Sequence, residues 1–307
     1  MNIIYTIFNI LILLIAPFFV LGLIKKTKAF WGGRKGVSIF QPLFDTVKLF
    51  KKDRVVSSST SWIFDFAPCV IFVTTLFAGL FAPILGGYSI INIEASFVVF
   101  SYILGLNKFF ALISALDTAS SFEGMGASRE ACFTTIVEPA FFMILASTIV
   151  LSGNLTFSSI LNLINISGSF GILIVSIIAV SLFIMLLIEC SRVPVDDPTT
   201  HLELTMIHEV MILDNSGVDL ALITWASGIK MVILMSLIAN LIIPANLSIG
   251  YTILVFLAVL VLLSMILATL ESAVARLRMS HVFEFIFVMN SLALVAASLV
   301  AVRIYGV

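Results

Sequence analysis

Five ionisable residues stand where the sequence is otherwise hydrocarbon. Lys108 and Lys230 fall inside apolar stretches, Glu138 opens one within TTIVEPAFFMILAS, and Glu189 and Glu271 close two others. A charge at mid-bilayer costs roughly 2.5–3.5 kcal/mol on insertion scales, so such groups normally face a bundle interior or a hydrated path. Carboxylates and amines that alternate through an apolar bundle can relay protons, because partial desolvation moves their pKa values toward neutrality and water bridges the gaps. Plainer roles exist for three of them. Glu138 precedes Pro139 and suits a helix start, where the dipole favours an acid, and Glu189 and Glu271 can reach the interface from the ends of their spans. Lys230 has no such excuse, lying about ten residues, or ~15 Å, from either end of its span.

A second concentration of chemistry is the run ECSRVPVDDPTTHLELTMIHEVMILDNSG, residues 189 to 217, which carries six of the 17 acidic residues and two of the three histidines. Pro194 and Pro198, with Arg192, mark the end of the preceding helix, since proline lacks a donor and obstructs helix continuation. Thr200 and Glu203 have capping-box spacing and predict a new helix from about 201 to 213, striped with Leu202, Met206, Val210 and Leu213 and stopped by DNSG. Asp196, Asp197, Glu203 and Glu209 bring acid to this turn, which could act as a polar plug or as a proton entrance. His201 and His208 are seven apart and could share a helix face, but no cysteine or third histidine joins them, too few ligands for a metal. Cys69, Cys132 and Cys190 form no CxxC pair, so no iron–sulfur cluster or zinc has ligands here, and all three read as small buried hydrophobes. No Gly-rich phosphate loop, HExxH or Ser/His/Asp pattern appears, and the expectation is a non-catalytic chain.

The elements that must hold these groups are membrane helices. The chain is 61% hydrophobic and 11% charged, against about 25% charged in a soluble domain. The apolar runs are about 20 residues long, as a helix requires, rather than the ~10 of a barrel strand. They place about eight spans at roughly 3–24, 63–84, 95–116, 134–152, 170–190, 220–243, 249–271 and 282–303. The fold class is therefore an all-α polytopic bundle forming a single membrane domain over 1–307. The N-terminal run has no charged region before it and no small-residue cleavage site, so it reads as a retained first span.

The loops alternate in character. Segments 25–62, 117–133, 191–219 and 272–281 are charged and hold thirteen of the 16 Lys and Arg, whereas 85–94, 153–169 and 244–248 carry only Glu94. The positive-inside rule then puts the charged loops in the cytoplasm and both termini outside. Within the first loop, Phe40, Leu43, Phe44, Val47 and Phe50 recur at helical spacing with Lys48, Lys51 and Lys52 turned elsewhere, which predicts an amphipathic helix on the lipid surface with Pro42 near its start. The basic residues are explained by this topology and do not point to nucleic acid.

Three blocks resemble the complex I subunit 1 family, and within it the branch of energy-converting group 4 [NiFe] hydrogenases and formate hydrogenlyases. They are GGRKGVSIFQPLFDTVKLFKK, GMGASREACFTTIVEP and the acidic run itself, which is the most specific. With spans in matching order, the resemblance covers essentially the whole chain. It implies a membrane subunit that joins a peripheral redox arm to proton or sodium translocation. The implied partners are hydrogenase-like large and small subunits, an iron–sulfur protein and antiporter-like membrane subunits, in a prokaryotic cell membrane. It places the nickel–iron centre and the iron–sulfur clusters in those partners, with no cofactor in this chain.

Carried over by position, Glu138, Glu189, Asp196, Asp197, Glu203 and Glu209 fall in the acidic-path blocks, with Lys108 and Lys230 as further candidates. Arg34, Gln41, Asp45, Lys48, Arg192, His201 and His208 fall at the redox-arm interface. The family's Arg-Gly-Pro is here Arg34-Lys35-Gly36-Val37, which departs from the quinone-cavity wall of the respiratory enzymes. Rival expectations are a respiratory complex I subunit with a quinone cavity, a stand-alone ion transporter and a purely structural anchor. Against the transporter, the chain shows no internal repeat.

Overall fold

The computed structural model describes residues 2–161, 169–197, 206–244 and 247–305. Among these, the chain forms α1 (Asn2–Trp31), α2 (Gln41–Phe50), α3 (Trp62–Phe81), α4 (Ser96–Asp117), α5 (Ser121–Ser152) and α6 (Phe157–Ile160). It continues with α7 (Ser169–Glu189), α8 (His208–Met211), α9 (Gly217–Ile242), α10 (Ile249–Ala273) and α11 (Met279–Tyr305). Eight of these helices are long and apolar enough to cross a membrane. The only pairing of extended backbone among the described residues is an isolated bridge between Glu94 and Thr156.

The bundle is built round α9. Its most apolar window is 78% buried, against 28–56% in the other spans, and it packs on α1, α2, α3, α7 and α10. Close approach depends on small residues, since in lipid it is backbone proximity and packing, rather than hydrophobicity, that drive helices together. A Cβ on Gly228 of α9 would stand 3.0 Å from Pro17 Cβ of α1. One on Gly79 of α3 would stand 2.7 Å from Leu13 of α1. α4 lies against α3 and α5, and α11 closes the other side against α5 and α7. Cys69 and Cys132, read from the sequence as buried, are instead exposed on α3 and α5, and Cys190 is half-buried. A small apolar side chain can face lipid as readily as the interior, so its type does not fix its side of the helix.

Two expected boundaries move. The charges of segment 117–133 predict a loop, yet α5 starts at Ser121 and carries it as helix. Two of its charged side chains find partners inside the protein: Glu123 accepts from Asp214 N at 3.0 Å, and Arg129 donates to Met206 O at 2.9 Å. The helix expected over 201–213 has Thr200, His201, Leu202 and Glu203 outside the described residues, and the described part is helical only over His208–Met211. The Asp196 carboxylate accepts from the amides of Ile207 and His208, at 2.9 and 3.3 Å, at the start of this helix, and a turn follows from Ile212. Residues Met206, Val210 and Met211 are buried, against α5. A Cβ on Gly126 would lie 2.3 Å from Val210 Cγ1 and 2.9 Å from Ile207 O, so the glycine is what lets the insert seat there.

Candidate ion path

The helix that leads into the acidic run ends by backbone geometry. Ser191 takes a left-handed conformation (φ 48°), and Arg192 N donates back to Leu187 O at 2.8 Å, closing the last turn. The chain then turns tightly, with Val195 N and Asp196 N both donating to Arg192 O. Asp196 is buried and organises the rest of the turn. Its carboxylate accepts from the amides of Asp197, Ile207 and His208 and pairs with Arg276 at 3.0 Å. Leu277 N donates to Pro194 O at 2.9 Å, so the α10–α11 connection staples the turn twice.

Glu189, the last residue of α7, meets both mid-membrane lysines. Lys108 Nζ of α4 lies 2.5 Å from Oε1, and Lys230 Nζ of α9 lies 3.3 Å from Oε2. Lys108 also donates to Thr134 Oγ1 of α5 at 3.1 Å. Glu130 of α5 interacts electrostatically with Lys108, Lys230, Glu189 and Asp196. Lys108, Lys230 and Glu189 therefore form one ion-paired cluster, with Glu130 near enough to act on its charges.

A second ionic knot ties the same end of the bundle. Glu271 of α10 pairs with Lys28 of α1 at 3.0 Å and with Arg192 at 3.3 Å, and its side chain is fully buried. Arg54 binds Asp219 at the start of α9 and Asp65 in α3, anchoring the α2–α3 connection.

Three cavities adjoin these groups and share walls. The first, about 90 Å³, lies among Glu189, Lys230, Asp196, His208, Glu209 and Asn215. The second, about 100 Å³, is lined by Lys108, Glu189, Glu138 and Tyr102 among others. The third, about 630 Å³, opens between α1, α2 and α9 beside Lys25, Lys28, Asp45 and Trp225. Arg192, Glu209 and Ser227 line both the third and the first, and Glu189 lines both the first and the second. A water needs roughly 10–15 Å³ of such space and two to four polar partners, so the first two cavities have room for several waters each. Thus a row of hydratable spaces runs from the charged end, past the lysine-held Glu189, to Glu138, which is exposed on the flank of α5.

Outside the spans, burial pushes the His208 imidazole below its usual range. Lys230 and Arg192 act in the same direction, and Glu209 and Asp196 oppose them. Among the described residues no group of three or more His, Cys, Asp or Glu is placed to hold a metal.

The structure thus brings together Lys108, Glu189, Lys230, Asp196 and Glu209 around adjoining cavities, the second of which Glu138 also lines. Asp197 is half-buried beside Asp196. Glu203 and His201 lie outside the described residues. Arg192 and His208 line the first cavity, where Arg192 pairs with Glu271 and the Asp196 carboxylate holds the His208 backbone. Gln41 donates to Asp45 along α2 at 2.7 Å, while Arg34 and Lys48 are exposed. Sequence reasoning missed Glu130. Its signal was present in the spacing Glu130, Thr134, Glu138, one face of a helix, but only if α5 runs unbroken through the charged segment.

The chain matches the NADH dehydrogenase family over residues 3–302. It is similar to hydrogenase-4 component C of Escherichia coli, at 29% identity over 94% of this chain and 92% of that protein. It is also similar to formate hydrogenlyase subunit 4 of Escherichia coli, at 24% identity over 91% and 92%. NADH-ubiquinone oxidoreductase chain 1 of Chondrus crispus is 30% identical over 74% of this chain and 72% of its own length. The fold recurs in a chain of the membrane-bound sulfane sulfur reductase, an archaeal respiratory membrane complex, with a TM-score of 0.82 and 18% identity over 97% of this chain and 99% of that one.

Proposed function

The chain belongs to the NADH dehydrogenase family, in the complex I subunit 1-like group that matches the energy-converting hydrogenase branch, and we propose that it is the membrane subunit through which a peripheral hydrogenase-type redox arm drives proton or sodium translocation. The observation that carries this reading is the row of cavities with Glu189 in a shared wall, held between Lys108 and Lys230. Such a carboxylate is a decision point. A change of charge or position in the clamped acidic turn alters the field at Lys230 and Glu189, and the altered pairing passes to Lys108 and then to Glu138 through water.

The charged end of the bundle faces the cytoplasm in this reading, both termini lie outside, and the redox arm docks there. The nickel–iron and iron–sulfur chemistry belongs to partner subunits, and antiporter-like subunits receive the ion from the Glu138 flank. In the intact complex, Glu138→Gln and Glu189→Gln are expected to keep dye-linked hydrogen turnover and to lose the ion gradient. Glu138 is exposed, so its substitution leaves packing intact. Undiminished gradients in both variants would sink the proposal.

A second reading rests on the 630 Å³ cavity, whose walls include Phe18, Leu21, Ile24, Leu49 and Trp225 and whose size suits a quinone head. In that case the chain serves a quinone-reducing complex. Quinone-site inhibitors would then block turnover of the native complex, whereas a hydrogenase-type complex is expected to be insensitive to them.

A further inference from the structure

A different groove, on the outer face of the bundle, is built for an anion on an apolar stem. α1 ends in KKTKAFWGGRKG. Gly33 takes a left-handed conformation, and Arg34 N donates back to Ala29 O at 2.8 Å, so the chain reverses at the helix end. Gly36 is also left-handed, and a Cβ there would come within 2.6 Å of Ala29 Cβ. Only a bare backbone can lie this flat on α1, and the fold-back is what sets Arg34 and Lys35 beside Lys26. The result is a groove of about 320 Å³ lined by Lys26, Thr27, Phe30, Arg34 and Lys35, with Met265 of α10 below.

Three cations meet in this groove, and no carboxylate lines it. None of the three has an ion-pair partner among the described residues, in contrast to Lys28 two positions along, which turns inward to Glu271. Toward the bilayer the floor is apolar. Met265 is exposed on α10, and Leu262 and Ile266, also exposed, share its side of the helix. Positive charge at the mouth and an outward hydrocarbon track beneath it are the complements of a phosphate headgroup and an acyl chain.

We propose that the groove formed by Lys26, Arg34, Lys35, Phe30 and Met265 is a binding site for one anionic phospholipid, the phosphate on the three cations and an acyl chain along α10. The site needs only that the bundle sits in a membrane and is independent of any ion path. It also assigns Arg34 a lipid in place of a redox partner.

The test uses the full-length chain purified in detergent and titrated with phosphatidylglycerol or phosphatidylcholine, with bound lipid counted by native mass spectrometry. Near a surface each Lys or Arg contributes about 1 kcal/mol toward an anionic lipid, so phosphatidylglycerol is expected to bind roughly tenfold or more tightly than phosphatidylcholine. The triple variant Lys26→Gln, Arg34→Gln, Lys35→Gln should lose that preference. Met265→Trp, which fills the apolar end and keeps the charges, should weaken phosphatidylglycerol binding. The triple variant Lys48→Gln, Lys51→Gln, Lys52→Gln, with the same charge change at other exposed positions, should retain the preference. Equal binding of the two lipids overturns the proposal, as does equal loss in both triple variants, which means diffuse attraction. Displacement of phosphatidylglycerol by millimolar inorganic phosphate overturns it in favour of a small-anion site. Cross-linking of Lys26 or Lys35 to a protein neighbour in the intact complex overturns it in favour of a subunit interface.

Discussion

The two ends of the bundle bury polar groups in different ways. At the charged end buried ions stand beside the amides Asn107 and Asn215: Glu189 between Lys108 and Lys230, Glu271 between Lys28 and Arg192, and Asp196 with Arg276. At the opposite end they are amides. Asn240 Nδ2 donates to Pro83 O, Ile84 O and Ser236 O, and its Oδ1 accepts from Gly87 N at 2.8 Å. Asn9 does the same for Tyr88 O and Leu85 N. Both devices tie a connecting segment to the spans, but only one of them titrates. An amide satisfies backbone groups without changing charge between pH 5 and 8, so it pins and does nothing else. Ion clusters are weaker stabilisers, because desolvation offsets most of the attraction. Their concentration at one end therefore speaks for a task other than holding the fold.

The sharpest way to break this contrast is to remove the centre of the ionic network. Glu189→Leu strands two lysines in the bundle and should cost about 3–5 kcal/mol, the usual loss when one partner of a buried pair goes. The quadruple variant Glu189→Leu, Lys108→Met, Lys230→Met, Glu130→Gln removes the lysines together with both carboxylates they face and should recover most of that stability in thermal melts while ion translocation stays lost. If the quadruple variant melts as low as the single one, the network is structural and the distinction between the ends fails.

The amide end should behave in the opposite sense. Asn240→Ala leaves buried backbone groups unpaired, and each such loss costs about 1–3 kcal/mol, yet the ion gradient per hydrogen turned over should be unchanged in whatever complex assembles. A pumping defect without a folding defect would show that this end also takes part in translocation.

The smallest effect expected is on pH dependence. The unfolded imidazole of His208 takes up a proton below its ordinary value of 6.5, whereas in the fold burial holds it lower. Stability contributed by the neutral ring is thus present above pH 6.5 and lost as pH falls below it, with a slope of at most ~1.4 kcal/mol per pH unit. Hydrogen exchange at the amides of Ile207–Asn215 should quicken between pH 6.5 and 5.5 relative to the amides of Leu85–Ile91, after correction for intrinsic rates. His208→Gln should remove the difference.

Much of the fold was legible because hydrophobicity is a local sum. Eight apolar runs announce eight spans, whatever they pack against. The misses came where that sum misleads. Residues 121–133 look like loop because they carry Glu123, Arg129 and Glu130, but Glu123 and Arg129 find partners on the insert and stay helical. The backbone leading into the short helix at His208 is held by Asp196, eleven positions before Ile207, a contact that no local capping pattern announces.

By itself the sequence determined the class of the protein, its spans, the charged and uncharged ends, and the family, which a specific acidic run betrays. It also singled out Glu189, Asp196 and Glu271 among the buried carboxylates, but not Glu123 or Asp219. What only the tertiary structure decided is who meets whom. Glu189 is 81 residues from Lys108 and 41 from Lys230, and Glu271 is 79 from Arg192. No periodicity along one helix encodes which face of another it will meet. That choice belongs to close packing at Gly126, Gly228 and Gly79, whose missing side chains set how near the helices come and hence which charges share a cavity.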